Sequence, residues 1–269
     1  MGSQSTDHAG HHRRDETEVL WDDRRLASPH GQPDKSDRVR GMFDAIAPTY
    51  ELVNTLFSGG RDRAWRRQAV KLTGVTVDDS LLDVACGTGD FARAFQGHRP
   101  APRRIVGCDF SGRMLSLAAA RTAGCLSWVR ADALSLPFRE ASFSVISCAF
   151  GIRNFQDLEA GLREMHRVLS PGGRAVILEF SRPAGRLFRR LYEFYSSRIM
   201  PVGAALISGD RTGAYRYLPR SVVSFPTAAD LSGRLARVGF ETISITPMTL
   251  GIVTVYVAHR ARDRAGSHR

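Results

Sequence analysis

The sequence predicts an α/β fold: a mostly parallel, seven-stranded sheet with helices on both faces, an antiparallel C-terminal hairpin and a helical cap at the N-terminus. Three observations carry this. Short apolar runs alternate with helical stretches through the middle of the chain, a glycine-rich turn follows the first run, and two β-like runs close the chain with only a few residues between them. Strand and helix in alternation build a parallel sheet covered on both faces. So short a final connection forces an antiparallel pair.

The 269 residues suffice for one such domain with extensions. Residues 1–35 are polar and charged and are expected to form a disordered tail. The tail holds His8, His11 and His12, read as solvated rather than metal-binding, and a myristoylation-like MGSQST, read as coincidence. From Ser36, the residues Val39, Met42, Phe43, Ile46 and Ala47 recur at helical spacing. A second helix is expected from Gly60 to Leu72, and the cap spans 36–74. The domain as a whole spans 36–260. Strands are expected at Leu81–Ala85, Arg104–Asp109, Leu126–Arg130, Phe143–Ala149 and Arg174–Phe180, with helices near 89–97, 111–123 and 156–169 between them. An amphipathic helical insertion over 184–210 breaks the alternation. A helix over Thr227–Val238 stops before Gly239, which suits the left-handed end of a helix. The strands Glu241–Pro247 and Ile252–Ala258 follow, and 261–269 is a basic tail.

The formal net charge is +11, and only Lys35 and Lys71 among the 38 basic residues are lysines. The arginine excess reads as compositional bias. No basic motif is interleaved with aromatic residues, so nucleic acid is not an expected partner. No apolar run approaches the roughly 18 residues of a membrane span, and the N-terminus has no apolar signal-peptide core. Cys86, Cys108, Cys125 and Cys148 form no CxxC pair and have no histidines at zinc spacing. No metal site is expected. Reduced thiols and a cytoplasmic location fit this usage.

The strongest local signal is LLDVACGTGDFA at 81–92, an apolar strand, a glycine turn and a helix. Gly87 and Gly89 let a ligand approach the backbone, and the helix offers free N–H groups at its start. Asp109, at the end of the second strand, suits a ribose diol. These features serve a nicotinamide dinucleotide and S-adenosylmethionine equally. Three others favour S-adenosylmethionine and a Rossmann-like methyltransferase fold. Asp83 lies inside the first strand, where an acid can hold a cationic amino-acid end and would repel a pyrophosphate. The plainer reading of Asp83 is a structural acid that caps a loop. Asp132, in RADALSLPF, can meet an adenine edge. The helix, Pro-Gly-Gly turn and buried strand of HRVLSPGGRAVILEF complete the pattern. Gly172 and Gly173 read as turn residues and His166 as a packing residue.

Four segments carry a closer resemblance: RGMFDAIAPTYELVNTLFSGGRDRAW (40–65), the glycine loop, SCAFGIRNFQDLEAGLREMHRVLSPGGRAVILEFSRP (147–183) and AYRYLPRSVVSFP (214–226). Over roughly 33–260 the chain resembles the menaquinone and ubiquinone biosynthesis C-methyltransferases. It departs from the family pattern at Glu51, Asp62, Ala149 and Ser170. The resemblance implies that Thr88, Asp109, Asp132 and Ala133 contact S-adenosylmethionine, with Tyr50 and Cys148 as further pocket candidates. It implies methylation of a ring carbon of a polyprenylated quinol, demethylmenaquinol in the first instance. The alternatives are a benzoquinol of the ubiquinone pathway or another small molecule on the same fold. Such a reaction needs a positive group beside a developing phenolate. Arg153, in the FGIRN loop, is the candidate, and its plainer reading is a structural arginine paired with a nearby carboxylate. No general base is selected, with water and Tyr195 equally open. The segment 185–207 mixes Arg186, Arg189, Arg190 and Arg198 with large apolar residues. It suits either peripheral contact with the inner face of the cell membrane or simple packing on the domain.

Overall fold

In the computed structural model, which describes residues 19–122 and 124–262, five of the apolar runs are parallel strands. They are β1 (Ser80–Val84), β2 (Arg104–Asp109), β3 (Ser127–Arg130), β4 (Phe143–Ala149) and β5 (Leu169–Phe180). β6 (Phe240–Met248) and β7 (Val253–Arg260) complete one seven-stranded sheet in the order β3-β2-β1-β4-β5-β7-β6. β7 runs antiparallel to both of its neighbours, β5 and β6. The strand order reverses between β1 and β4, and this reversal opens a crevice at the carboxyl ends of the strands.

Alternate strand residues point to opposite layers. Leu82, Ile146 and Ile177 pack into one buried cluster, whereas Leu81, Val145 and Val176 pack into the other. The first layer is closed by α7 (Leu158–Val168) and α11 (Ala228–Arg237), the second by α4 (Arg61–Thr73) and α5 (Asp90–Gln96). α6 (Gly112–Thr122) follows β2 and packs on β2 and β3. Local chemistry marks the helix ends. The Asp157 carboxylate accepts from the Ala160 N–H, and Thr227 with Asp230 forms a reciprocal capping box. The Pro-Gly-Gly segment is a bulge inside β5, because pairing with β4 passes from Leu169 to Arg174. A Cβ on Gly173 would stand 2.8 Å from the Ser144 carbonyl oxygen, so only glycine fits there.

The cap holds three helices besides α4: α1 (Asp23–Ala27), α2 (Lys35–Ile46) and α3 (Tyr50–Phe57). The insertion is α8 (Arg186–Phe194), a π-helical turn at Tyr195–Ile199 and α9 (Met200–Ser208), followed by α10 (Ala214–Val223). Among the described residues, no helix is long and apolar enough to cross a membrane.

The tail expected over residues 1–35 is shorter than the sequence suggests. Residues 19–34 pack on the body: Trp21 is fully buried, its ring 4.2 Å from that of Tyr217, and its backbone N–H donates to the Thr212 carbonyl at 3.0 Å. Helical periodicity misses this anchor because the short run Val19-Leu20-Trp21 is separated from Leu26 by four charged residues and gives no helical repeat. Gly2, Thr6, His8, His11 and His12, and most of the basic tail, lie outside the described residues. We expect Trp21→Ala to cost about 3–5 kcal/mol of stability in urea unfolding. A loss below about 1 kcal/mol would mean that the segment is loosely attached.

Candidate active site

The crevice at the strand reversal is lined from below by Ala85 and Gly87 after β1, Asp109 at the end of β2, the 131–134 loop after β3 and the 149–151 turn after β4. Phe43 of α2 and Tyr50 of α3 cover it from the cap. Asp109 is its buried charge. One carboxylate oxygen accepts from the Gly87 N–H at 2.8 Å and the other from the Ser111 N–H at 2.9 Å. Burial pushes this carboxyl up to about 6, against the pull of those two N–H groups. A carboxylate has about four acceptor sites, so Asp109 retains capacity toward the crevice. Asp132 and Ala133 stand across from it on the 131–134 loop.

The two glycines of the turn have different roles. Gly87, at φ +54°, has open space where a Cβ would project, and it lines the crevice. Gly89, at φ +82°, would place a Cβ 2.5 Å from the Trp128 ring, so it serves packing. Thr88 is buried and faces the Glu51 carboxylate of α3. Glu51 also pairs with Arg93 of α5 and Arg121 of α6, which fastens the cap across the crevice.

Four residues expected at the cofactor do not line the crevice: Thr88 and Gly89, and also Asp83 and Cys148. Asp83 is fully buried beneath the glycine turn: it accepts from the Ser147 hydroxyl at 2.6 Å and from the Ala92 N–H at 3.1 Å. It lies inside β1, where its side chain points into the α5 layer and caps the start of that helix. Cys148 is also fully buried, and a Cβ on Gly151 would meet its sulfur at 2.7 Å. It packs under the wall of the crevice, and its neighbours Ala149 and Phe150 form the lining. Cys108 lines the crevice instead, a contact that the strand pattern could have suggested from its place beside Asp109.

A second, larger cavity of about 480 Å³ adjoins the crevice, and Phe43, Tyr50 and Phe150 border both. Its walls are mainly apolar, including Phe57, Trp65, Phe180 and Val222, with Tyr192 from α8. Arg153 lines it from the 3-10 turn at Ile152–Asn154. One terminal nitrogen, Nη1, donates to Glu179 Oε1 at 2.8 Å and to the Phe150 carbonyl, while Nε is buried without a hydrogen-bond partner. Burial disfavours the charge, and the Glu179 carboxylate together with the Tyr217 and Tyr50 hydroxyls outweighs it, so the guanidinium stays charged. Arg153 is thus both an ion-paired residue of the core and a face of the cavity. The sequence reading missed Glu179, although it sits in the quoted LEFSRP segment. It also missed Phe43 and Phe150, which only the fold brings together.

This geometry agrees with the comparisons with known proteins. Residues 32–260 match the ubiE/COQ5 methyltransferase family. The chain belongs to that family. The ubiquinone/menaquinone biosynthesis C-methyltransferase UbiE of Geotalea daltonii is 44% identical over 232 residues, covering 84% of this chain and 98% of that one. The demethylmenaquinone methyltransferase of Deinococcus radiodurans is 43% identical over 230 residues, covering 84% and 94%. Among solved structures, a methyltransferase from Thermotoga maritima superposes with a TM-score of 0.59 at 19% identity, covering 81% of this chain and 98% of that one. The [4+2]-cyclase SpnF superposes at 0.62 and 18%, covering 85% and 97%. These two share the fold. S-adenosylmethionine is the cofactor of this family and fold. The crevice fits it: Gly87 leaves room for close approach, Asp109 keeps acceptor capacity for a diol, and Met114, Leu134 and Phe155 offer apolar faces to a flat base.

Burial pushes Asp83 up to about 7 in the folded protein, above the unfolded value near 4. A raised acid stabilises the fold below its unfolded value and loses that contribution as pH rises through the folded one. Asp83→Asn removes this loss. We therefore expect the melting temperature of the variant to rise relative to the parent between pH 4 and pH 7, then to hold a constant offset. A pH-independent offset would show that Asp83 is not held neutral by burial.

Proposed function

We propose that this protein methylates a ring carbon of a polyprenylated quinol, converting demethylmenaquinol to menaquinol. The observation that carries the reading is the pair of adjoining chambers. One has the donor set for S-adenosylmethionine, the other is mainly apolar and is lined by two buried guanidinium groups, Arg66, which pairs with Asp62, and Arg153, and the two meet at Phe43, Tyr50 and Phe150. The names of the relatives support the same reading.

S-adenosylmethionine supplies an activated methyl group on a cationic sulfur. The rest belongs to the protein. Asp109, Asp132 and the backbone around Gly87 and Ala133 would hold the donor. The apolar cavity holds the quinol ring and the first part of its chain, and excludes water. Arg153 stands beside a ring oxygen and stabilises its phenolate, which makes the neighbouring carbon nucleophilic. That carbon would supply the electron pair for its bond to the methyl group and then give up its ring proton, which restores the aromatic ring. Tyr50 at the junction aligns ring and donor. Burial raises its hydroxyl, so it stays neutral and donates a hydrogen bond.

The chain of the substrate leads to a membrane surface in this reading. α8 has two faces. Phe188, Tyr192 and, just beyond it, Tyr195 line the cavity, whereas Leu187, Leu191 and Phe194 are 74%, 60% and 60% exposed. Arg186, Arg189 and Arg190 flank them, and a basic amphipathic helix of this kind lies on anionic bilayers.

Methyl-labelled S-adenosylmethionine with detergent-dispersed demethylmenaquinol tests the reading, with label sought on the naphthoquinol ring. Label on a benzoquinol precursor alone would move the substrate to the ubiquinone pathway, and label on neither would reject quinol methylation. Arg153→Ala is expected to lower kcat by about 100-fold and to leave the Kd for S-adenosylhomocysteine within about threefold. Equal losses in both would remove Arg153 from the reaction. Leu187→Asp with Leu191→Asp is expected to abolish co-sedimentation with phosphatidylglycerol vesicles at low salt. Unchanged sedimentation would exclude α8 as the contact.

A further inference from the structure

Lys35, at the start of α2, is a buried cation with an unusual set of partners. It is only 2% exposed, and no carboxylate pairs with it among the described residues. Its ammonium donates to the Arg153 carbonyl at 3.0 Å, to the Phe155 carbonyl at 2.5 Å and to His30 Nδ1 at 3.2 Å. All three ammonium hydrogens are thereby used. The histidine fits the same scheme: with Nδ1 accepting, Nε2 carries the proton and donates to the Ser221 carbonyl at 2.9 Å. The first two carbonyls lie at the end of the 3-10 turn at Ile152–Asn154, where backbone dipoles favour a cation.

This contact belongs to a wider clasp. The Ser36 N–H donates to Gln156 Oε1 at 2.9 Å, and Gln156 Nε2 donates to the Gln32 carbonyl at 3.0 Å. The segment 30–36 therefore grips the loop 150–156 at its far end, while Glu179 grips Arg153 from the sheet. The loop has two duties in the site. Phe150, Gly151 and Phe155 wall the cofactor crevice, and Arg153 faces the larger cavity. α2, which starts at Lys35, also supplies Phe43 to the cover of the crevice. Burial pushes the Lys35 ammonium down to about 8, with the Arg153 charge adding to the effect, so it is still charged at neutral pH.

We propose that Lys35 is a positioning residue: it ties the cap helix α2 to the loop 150–156, so that covering the cofactor and aiming Arg153 at the substrate are one arrangement. A shift of about 1 Å in a group that must meet a reacting atom costs on the order of 100-fold in rate. Lys35 touches neither chamber and acts through Arg153. The proposal rests on the reading of Arg153 given above.

The test is a double-mutant cycle on the full chain with Lys35→Met and Arg153→Met, assayed on demethylmenaquinol, together with hydrogen exchange of the 150–156 amides. Lys35→Met alone is expected to lower kcat about 10- to 100-fold, with KM for the quinol within about threefold. In the Arg153→Met background the same change is expected to lower kcat by no more than about twofold. Equal losses in both backgrounds would overturn the proposal, because a lysine that only supports the fold does not depend on Arg153. The loop amides are expected to exchange faster in Lys35→Met at temperatures where the protein is folded, and unchanged exchange would also overturn it. Should Lys35→Met fail to fold, His30→Leu takes its place in the cycle. It removes one partner of the ammonium, and the same dependence on Arg153 is required. Absence of methyl transfer to any quinol by the parent protein would count against the functional reading alone, and the exchange measurement would still decide whether Lys35 holds the loop.

Discussion

The site depends on keeping one guanidinium charged inside an apolar wall. Arg153 is 4% exposed and lies over the Phe180 ring, so water contributes little to its solvation. An isolated charge in such a place costs several kcal/mol, and removing one partner of a buried pair typically costs about 3–5 kcal/mol. Glu179 supplies the missing counter-charge. That residue is set by β5, where it stands in register with Thr254 of β7. The same edge binds the cap, since Trp65 Nε1 donates to Thr249 Oγ1 at 2.7 Å just before β7. The antiparallel end of the sheet, which looks like an appendage in the sequence, is thus part of the wall that holds the charge.

The backbone is bent to suit this wall. Ala85 and Phe150 have φ values of +51° and +57°, an unfavourable region for residues with a Cβ. They follow β1 and β4, the two strands at the reversal of order. Such conformations cost about 1–3 kcal/mol each and persist where surroundings over-determine them. At Phe150 the surroundings are evident: its N–H donates to the Leu178 carbonyl at 2.7 Å, and its ring stacks 4.5 Å from Phe180. The turn brings Gly151 so close to Ala85 that a Cβ there would stand 2.8 Å from the alanine methyl. The two strained turns touch, and Phe150 becomes the partition between the chambers.

Much of this fold is legible in the sequence because local pattern and global fold agree. The central strands β1, β2 and β4 are short, mainly apolar runs, and turn chemistry separates them. Two kinds of feature were not legible. α3 and α10 escape the periodicity, α10 because Pro219 interrupts its pattern. The packing of Trp21 escapes it because the partner, Tyr217, is almost 200 residues away. At the site, Asp109, Asp132 and Gly87 could be placed from spacing alone, since a strand end and a turn fix where they face. Asp83 and Cys148 could not, because a strand residue near the same end points to either layer and only the register of neighbouring strands decides which.

The contrast between Asp83 and Asp109 yields a more general criterion. Both are buried carboxylates close to one glycine turn, and burial raises both. Burial alone therefore does not separate a ligand from a structural acid. Their hydrogen bonds do. Asp83 faces away from both chambers, with Ser147 and Ala92 at its oxygens. Asp109 receives its two N–H groups from behind, and its remaining acceptor capacity opens on the crevice. Arg153 follows the same logic with the opposite charge. Glu179 and Phe150 use one nitrogen, and Nε has no partner although it is buried. A buried polar group normally has its hydrogen bonds made. One that keeps donor or acceptor capacity beside a cavity is incomplete until a ligand arrives, and Asp109 at the crevice and Arg153 at the larger cavity are groups of this kind, on either side of the Phe150 partition.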